Sequence, residues 1–213
     1  MRGLYFDIDH TLMSERPMMA LFLPQVYEKL AKKLGVSRDK ARELFLREIV
    51  LRRDSYEWHD WNFFFGLFGL DMRYERLIER YPHRITVFPD VVPALEVLRK
   101  RYLLGIITSG PEYQRLKLKV TGLLKYFDVI VTREDAKTVK PDPKIFLMAL
   151  EMAGLKPNEA VMVGDSLWQD VYGAKNVGMK AVWINRNGER DFHMADFTVR
   201  NLHELIKLLG VGT

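Results

Sequence analysis

Four short apolar runs in the second half of the chain, "LLGIIT", "DVIVT", "AVMVG" and "AVWIN", constrain the fold more than any other feature. Each is too short for a buried helix and rich in branched apolar side chains, which is the pattern of a strand covered on both faces. Between them lie stretches of helical spacing, Pro111 to Gly122, Pro143 to Gly154 and Leu167 to Gly178, each closed by a glycine where helices commonly end. Parallel neighbours in a sheet need a crossover, and a helix supplies it. Strand, helix, strand in repetition therefore predicts an α/β fold built on a doubly wound parallel sheet.

Residues 14–87 break this rhythm. Strand signals vanish and helical patterns follow one another: Met18 to Leu34, a helix capped by Ser37 and running to Arg53, Tyr56 to Phe68, and Asp71 to Arg80. Pro17 and the segment "YPHRITVFPD" bound the stretch. The expected organisation is a discontinuous α/β core, 1–13 and 88–213, with an all-helical insertion over 14–87. Within the insertion Trp61, Phe64, Phe65 and Phe68 recur at helical spacing and are expected to form its own core. Arg52, Arg53, Tyr56 and Trp58 flank that helix and are the better candidates to face a ligand.

Ligands of open α/β sheets bind beyond the carboxyl ends of the strands. The first apolar run ends in "DIDHT", placing Asp7, Asp9 and Thr11 at such an end; Thr108 and Ser109 follow "LLGII"; Gly164, Asp165 and Ser166 follow "AVMV". Lys140 lies in the proline-rich loop "TVKPDP" just before a helix, and Asp170 falls five residues after Asp165. These groups can converge on one crevice. Carboxylates packed together repel unless a cation or a raised pKa relieves them, and the all-oxygen set Asp7, Asp9 and Asp165 suits Mg²⁺. Hydroxyls, a lysine and the N–H groups at a helix start grip an anion with tetrahedral oxygens. Metal and anion sites side by side imply phosphoryl transfer with a carboxylate available as nucleophile. Taken singly, the same residues have plainer uses: Thr108, Ser109 and Asp170 could cap helices, and Lys140 could be a surface lysine. His10, His59 and His193 are isolated and read as structural or exposed rather than as metal ligands.

Composition narrows the partners. Cysteine is absent, which removes disulfides and thiolate metal sites together. The formal charge of +5 is spread along helices in which Lys and Arg alternate with Glu and Asp, the pattern of solvated helix faces. That favours an anionic small molecule over nucleic acid, for which no basic run with interleaved aromatics is present. No run of about eighteen apolar residues and no leader-like N-terminus occurs, so no membrane partner and a cytoplasmic location are expected. The oligomeric expectation is a monomer or homodimer.

In order and spacing, "DIDHT", "TSG", "KPDP" and "GDSLWQD" resemble the four motifs of the haloacid dehalogenase superfamily, across the whole chain. The resemblance implies a Rossmann-like core with strand order 5-4-1-2-3 and a helical cap inserted after the first motif. It implies Asp7 as the nucleophile that forms an aspartyl-phosphate and Asp9 as the acid/base. Mg²⁺ would be held by Asp7, the backbone carbonyl of Asp9 and Asp165, with Asp170 and Ser166 in the outer layer. Phosphate would be bound by Thr108, Ser109 and Lys140. His10 takes the place of the commoner glycine of the first motif, and Ser109 that of an asparagine. The activity implied is phosphomonoester hydrolysis on a small phosphorylated metabolite. A phosphomutase of the β-phosphoglucomutase type is the runner-up, followed by a 2-haloacid dehalogenase and a non-catalytic phosphate-binding module. Displacing halide from carbon needs neither a proton donor nor a metal, so Asp9 argues against the dehalogenase.

Overall fold

The computed structural model describes residues 1–190 and 193–211. The last two residues of the expected core therefore lie outside the described ones. The chain begins with β1 (Gly3–Phe6) and β2 (Met13–Ser14), then enters α1 (Arg16–Leu34), α2 (Arg38–Leu51), α3 (Trp61–Leu67) and α4 (Tyr74–Arg80). It returns through β3 (Thr86–Val87) and α5 (Val91–Leu98) to β4 (Leu103–Ile107), α6 (Tyr113–Val120), β5 (Val129–Val131), α7 (Arg133–Ala136) and α8 (Pro143–Ala153). The last part holds β6 (Ala160–Gly164), a π-helical turn (Leu167–Tyr172) leading into α9 (Gly173–Asn176), then β7 (Lys180–Ile184), β8 (Phe197–Val199) and α10 (Leu202–Leu208).

Six strands form one sheet in the order β5-β4-β1-β6-β7-β8, and every neighbouring pair is parallel. Counted along the chain, the first five of these strands give the expected order 5-4-1-2-3, and β8 adds an edge strand that the sequence did not announce. The central strand β1 is buried throughout, and its side chains alternate between two apolar clusters. Leu4 and Phe6 join one, which continues into the helical insertion; Tyr5 joins the other, with Ile107, Phe146 and Trp183. This two-faced burial is why the strands read as continuous apolar runs.

Register sets the site. Phe6 lies opposite Ile106 on one side and Val163 on the other, so the ends of β1, β4 and β6 are level to within a residue. Asp7, Thr108 and Asp165 leave the same edge of the sheet as a result.

Residues 16–80 contain only helices and connections, and a two-stranded antiparallel ribbon of β2 and β3 closes the insertion at its base. Each ribbon strand has two residues, too few to show any periodicity in the sequence. Ser37 caps α2 as expected, its side chain accepting from the Lys40 N–H. Phe64 and Phe65 are buried, with Trp61 and Phe68 packed beside them, and Phe22 meets Phe65 edge to face at 5.6 Å. The helix expected over Tyr56 to Phe68 is shorter, because Asp60 caps it at its own side chain, accepting from the Phe63 N–H. Residues 52–59 before it form turns.

Candidate active site

Asp7, Asp9, Thr108, Ser109, Lys140, Asp165, Ser166 and Asp170 all line one cavity of about 420 Å³ at the carboxyl edge of the sheet, roofed by Met19, Ile49, Trp58 and Trp61 of the insertion, whereas Thr11 does not line it. Asp7, Asp165 and Asp170 present carboxylate oxygens that lie within 4.8 Å of one another. Lys140, 1% exposed, donates to Asp7 Oδ1 and to Asp170 Oδ1, both at 2.6 Å. The other Asp170 oxygen accepts from the Ser166 N–H at 3.0 Å, and the Ser166 hydroxyl accepts from the Gln169 N–H. Asp170 fits only because β6 ends in glycine: a Cβ on Gly164 would lie 2.2 Å from the Asp170 carboxylate.

Charge in this cluster does not balance. Three carboxylates face one ammonium, so with all three ionised two negative charges would stand uncompensated in a buried site. Burial foremost, then the neighbouring Asp170 against the opposing pull of Lys140, lifts Asp7 to about 7. Burial and the charges of Asp7 and Asp170 lift Asp165 to about 8. Hard oxygen donors with a net double negative charge are what a divalent cation such as Mg²⁺ requires, so Asp7, Asp165 and Asp170 are the side chains able to hold one.

Asp9 faces the other way. Its Oδ1 is ion-paired with Lys117, and its Oδ2 accepts from Gln114 Nε2 at 2.6 Å. Burial alone would raise its pKa, but Lys117 and Gln114 bring it below the ordinary carboxylate range. Thr108 Oγ1 accepts from the Gly110 N–H at 3.1 Å, and Ser109 Oγ donates to Gln169 Oε1 at 3.3 Å while accepting from the Lys140 N–H at 3.1 Å. Ser109 thus braces the lysine loop. His10 adopts the left-handed backbone, φ +61°, that the usual glycine would occupy without strain.

Of the four insertion residues expected near a ligand, only Trp58 lines the cavity. Arg53 packs over the Trp58 ring, Arg52 pairs with Glu48, and Tyr56 stacks beneath Arg133 at 4.5 Å. His59, read from the sequence as structural or exposed, lines the cavity; burial lowers its pKa to about 4 and keeps the ring neutral. The motif residue Gln169 reaches across to the insertion, 3.2 Å from Asp54 Oδ1 and 3.3 Å from His59 Nε2.

Fold, strand-end carboxylates and buried lysine together define a class, and residues 4–184 match the haloacid dehalogenase-like hydrolase family, to which the chain belongs. Within it the chain is a phosphatase-type enzyme. It is 64% identical to a crystallised HAD phosphatase from Thermococcus onnurineus, with a TM-score of 0.97 over 99% of this chain and 98% of that one. It is 31% identical to the glyceraldehyde 3-phosphate phosphatase of Pyrococcus furiosus, across 97% of this chain and 92% of the relative. It is 30% identical to the phosphoserine phosphatase of Thermus thermophilus, across 87% and 89%.

Proposed function

We propose that this enzyme is a Mg²⁺-dependent phosphomonoester hydrolase that works through a phosphorylated Asp7. The observation that carries the reading is the division of labour at the site: a carboxylate cluster with two uncompensated negative charges beside Asp9, a carboxylate turned away from it and held by its own partners. A divalent cation held by Asp7, Asp165 and Asp170 would supply charge neutralisation for the incoming phosphate. An Asp7 oxygen attacks phosphorus as the ester P–O bond breaks, and Asp9, ionised in the free site, takes the proton of the bound phosphate monoanion and passes it to the departing alkoxide. Asp9 then takes a proton from water as the water oxygen attacks phosphorus; the bond to Asp7 breaks and inorganic phosphate leaves. Thr108 and Lys140 hold phosphate oxygens through both steps. Ser109 fixes the loop that carries Lys140.

Residues 14–87 act as a cap in this reading, and they choose the organic end of the ester. The roof is largely apolar, His59 on it is neutral, and Lys140 is the single lysine or arginine lining the cavity among the described residues. Nothing there pairs with a second anionic group, and Asp9 and Glu15 repel one. The substrate class is a small phosphate ester with a short, uncharged, hydroxyl-bearing tail. Of the two full-length relatives named above, the one acting on glyceraldehyde 3-phosphate has a substrate of this kind.

The test is a matched pair of esters assayed with Mg²⁺ and with excess chelator. Glycerol 3-phosphate should be hydrolysed with kcat/KM at least about tenfold above 3-phosphoglycerate, since an unpaired buried charge costs more than 1.4 kcal/mol, and chelator should abolish both. Turnover that persists in chelator rules out the metal reading; preference for the carboxylate-bearing ester rules out the tail assignment.

A further inference from the structure

Helix α6 carries three buried side chains with polar groups to which the reaction above gives no role: Tyr113, Gln114 and Lys117. Lys117 has no exposed surface, and a buried ammonium needs anionic partners. It has two, Asp9 Oδ1 and, at 3.1 Å, Glu15 Oε2. Gln114, one turn earlier on the same face, donates to Asp9 Oδ2. Both oxygens of one carboxylate are therefore held from one helix. Gln114 is itself seated against Gly110, where a Cβ would lie 2.2 Å from its amide nitrogen. Glu15 in turn accepts from Trp61 Nε1 at 3.2 Å and from the Tyr74 hydroxyl at 2.7 Å, so the insertion fixes the far side of the lysine. An apolar face on α6 would pack at least as stably as a buried ion cluster. What the cluster adds is orientation.

We propose that Lys117 and Gln114 are positioning residues that hold the Asp9 carboxylate in line for proton transfer. The proposal rests on the reading of Asp9 as the proton carrier. Lys117 can only donate, so it reserves Oδ1 and leaves Oδ2 as the oxygen that carries the proton. Gln114 Nε2 donates to one lone pair of that oxygen and so fixes its direction, leaving the other lone pair to take up and release the proton.

Two variants test this, Gln114→Leu and the double variant Glu15→Gln/Lys117→Met, which removes the buried cation together with one of its anions. Single-turnover phosphorylation of Asp7 is measured with glycerol 3-phosphate and with p-nitrophenyl phosphate, alongside inhibition by inorganic phosphate; Asp9→Asn is the reference. A phenolate leaves without a proton and an alkoxide does not. The expected result is slowing about 10- to 100-fold greater for the alkyl ester than for the aryl ester, short of the full effect of losing a general acid, with the phosphate inhibition constant unchanged within about threefold. Equal slowing of both esters, or none, overturns the proposal. If the double variant does not fold, Gln114→Leu decides alone. An Asp9→Asn reference without ester preference brings down the proton-carrier reading and this proposal together; a reference with the preference, beside a Gln114→Leu without it, brings down this proposal only.

Discussion

Lys140 and Lys117 are both buried without appreciable exposure, and each lies between two carboxylates, yet they sit in opposite electrostatic settings. Lys140 joins Asp7 and Asp170 in a cluster that Asp165 overloads, and the result is a pair of carboxyls pushed up towards neutrality. Lys117 joins Asp9 and Glu15, and Asp9 is pulled down. One extra carboxylate separates the two regions. A site for a cation needs uncompensated charge, while a proton carrier needs a fixed geometry, and the molecule builds both from the same lysine-and-two-carboxylates unit.

Breaking the first unit should have the larger effect. Lys140→Met leaves Asp7, Asp165 and Asp170 without a protein cation and removes a donor to phosphate, so steady-state kcat should fall about 10²- to 10³-fold, the scale for loss of one charge-stabilising donor. Because Lys140 and Asp9 lie on separate units, the ratio of alkyl to aryl rates should stay near that of the parent. A changed ratio would mean that the two units are not independent.

A smaller effect is expected from Gly164→Ala, which alters no charge. Its Cβ displaces the Asp170 carboxylate from its place between Lys140 and the Ser166 N–H. Half-saturation by Mg²⁺ should rise by about 10- to 100-fold, as for other disturbed supports of a metal site, while the double-negative cluster persists. Unchanged Mg²⁺ dependence would remove Asp170 from the metal-holding set.

The mildest prediction concerns stability. Asp7 and Asp165 hold protons in the metal-free fold up to about 7 and about 8, whereas unfolded aspartates release theirs near 3.9. The fold then binds more protons than the unfolded chain across that window, so metal-free stability should decline as pH rises from about 4 through 8. Asp90 works in the opposite sense: burial would raise it, but bonds from Arg186 and the Leu202 N–H lower it, so its contribution is present above about 4 and lost in acid. Thermal unfolding in chelator should show a Tm that falls between pH 5 and 8, and Mg²⁺ should raise Tm more at pH 8 than at pH 5. A flat metal-free profile would contradict the overloaded cluster.

The two units also differ in how far the sequence discloses them. Lys140 stands in "KPDP" and Asp165 and Asp170 in "GDSLWQD", at strand ends whose apolar runs are plain, so the cluster is readable from order and spacing. Lys117 lies in "QRLKLKV", where a lysine between two other basic residues has the look of a solvated helix face; its partners Asp9 and Glu15, about a hundred residues earlier in the chain, are what bury it. Glu15 is hidden for a like reason, since its partners Trp61 and Tyr74 are far along the chain. Sheet strands and long helices are legible because their periodicity is local. The β2–β3 ribbon, the turns over 52–59 and the placement of His59 depend on contacts between distant segments, and no local pattern marks them.

The most direct test of the account is the chemical fate of Asp7 in Asp9→Asn, a change that keeps the side-chain shape and abolishes proton transfer. Mixed rapidly with p-nitrophenyl phosphate and Mg²⁺, the variant should release a burst of about one p-nitrophenolate per site. Quenched in acid and digested, it should yield a peptide phosphorylated on Asp7, which persists because nothing activates water. A variant that turns over steadily with no burst and no phosphorylated Asp7 would contradict the division between nucleophile and proton carrier on which the account rests.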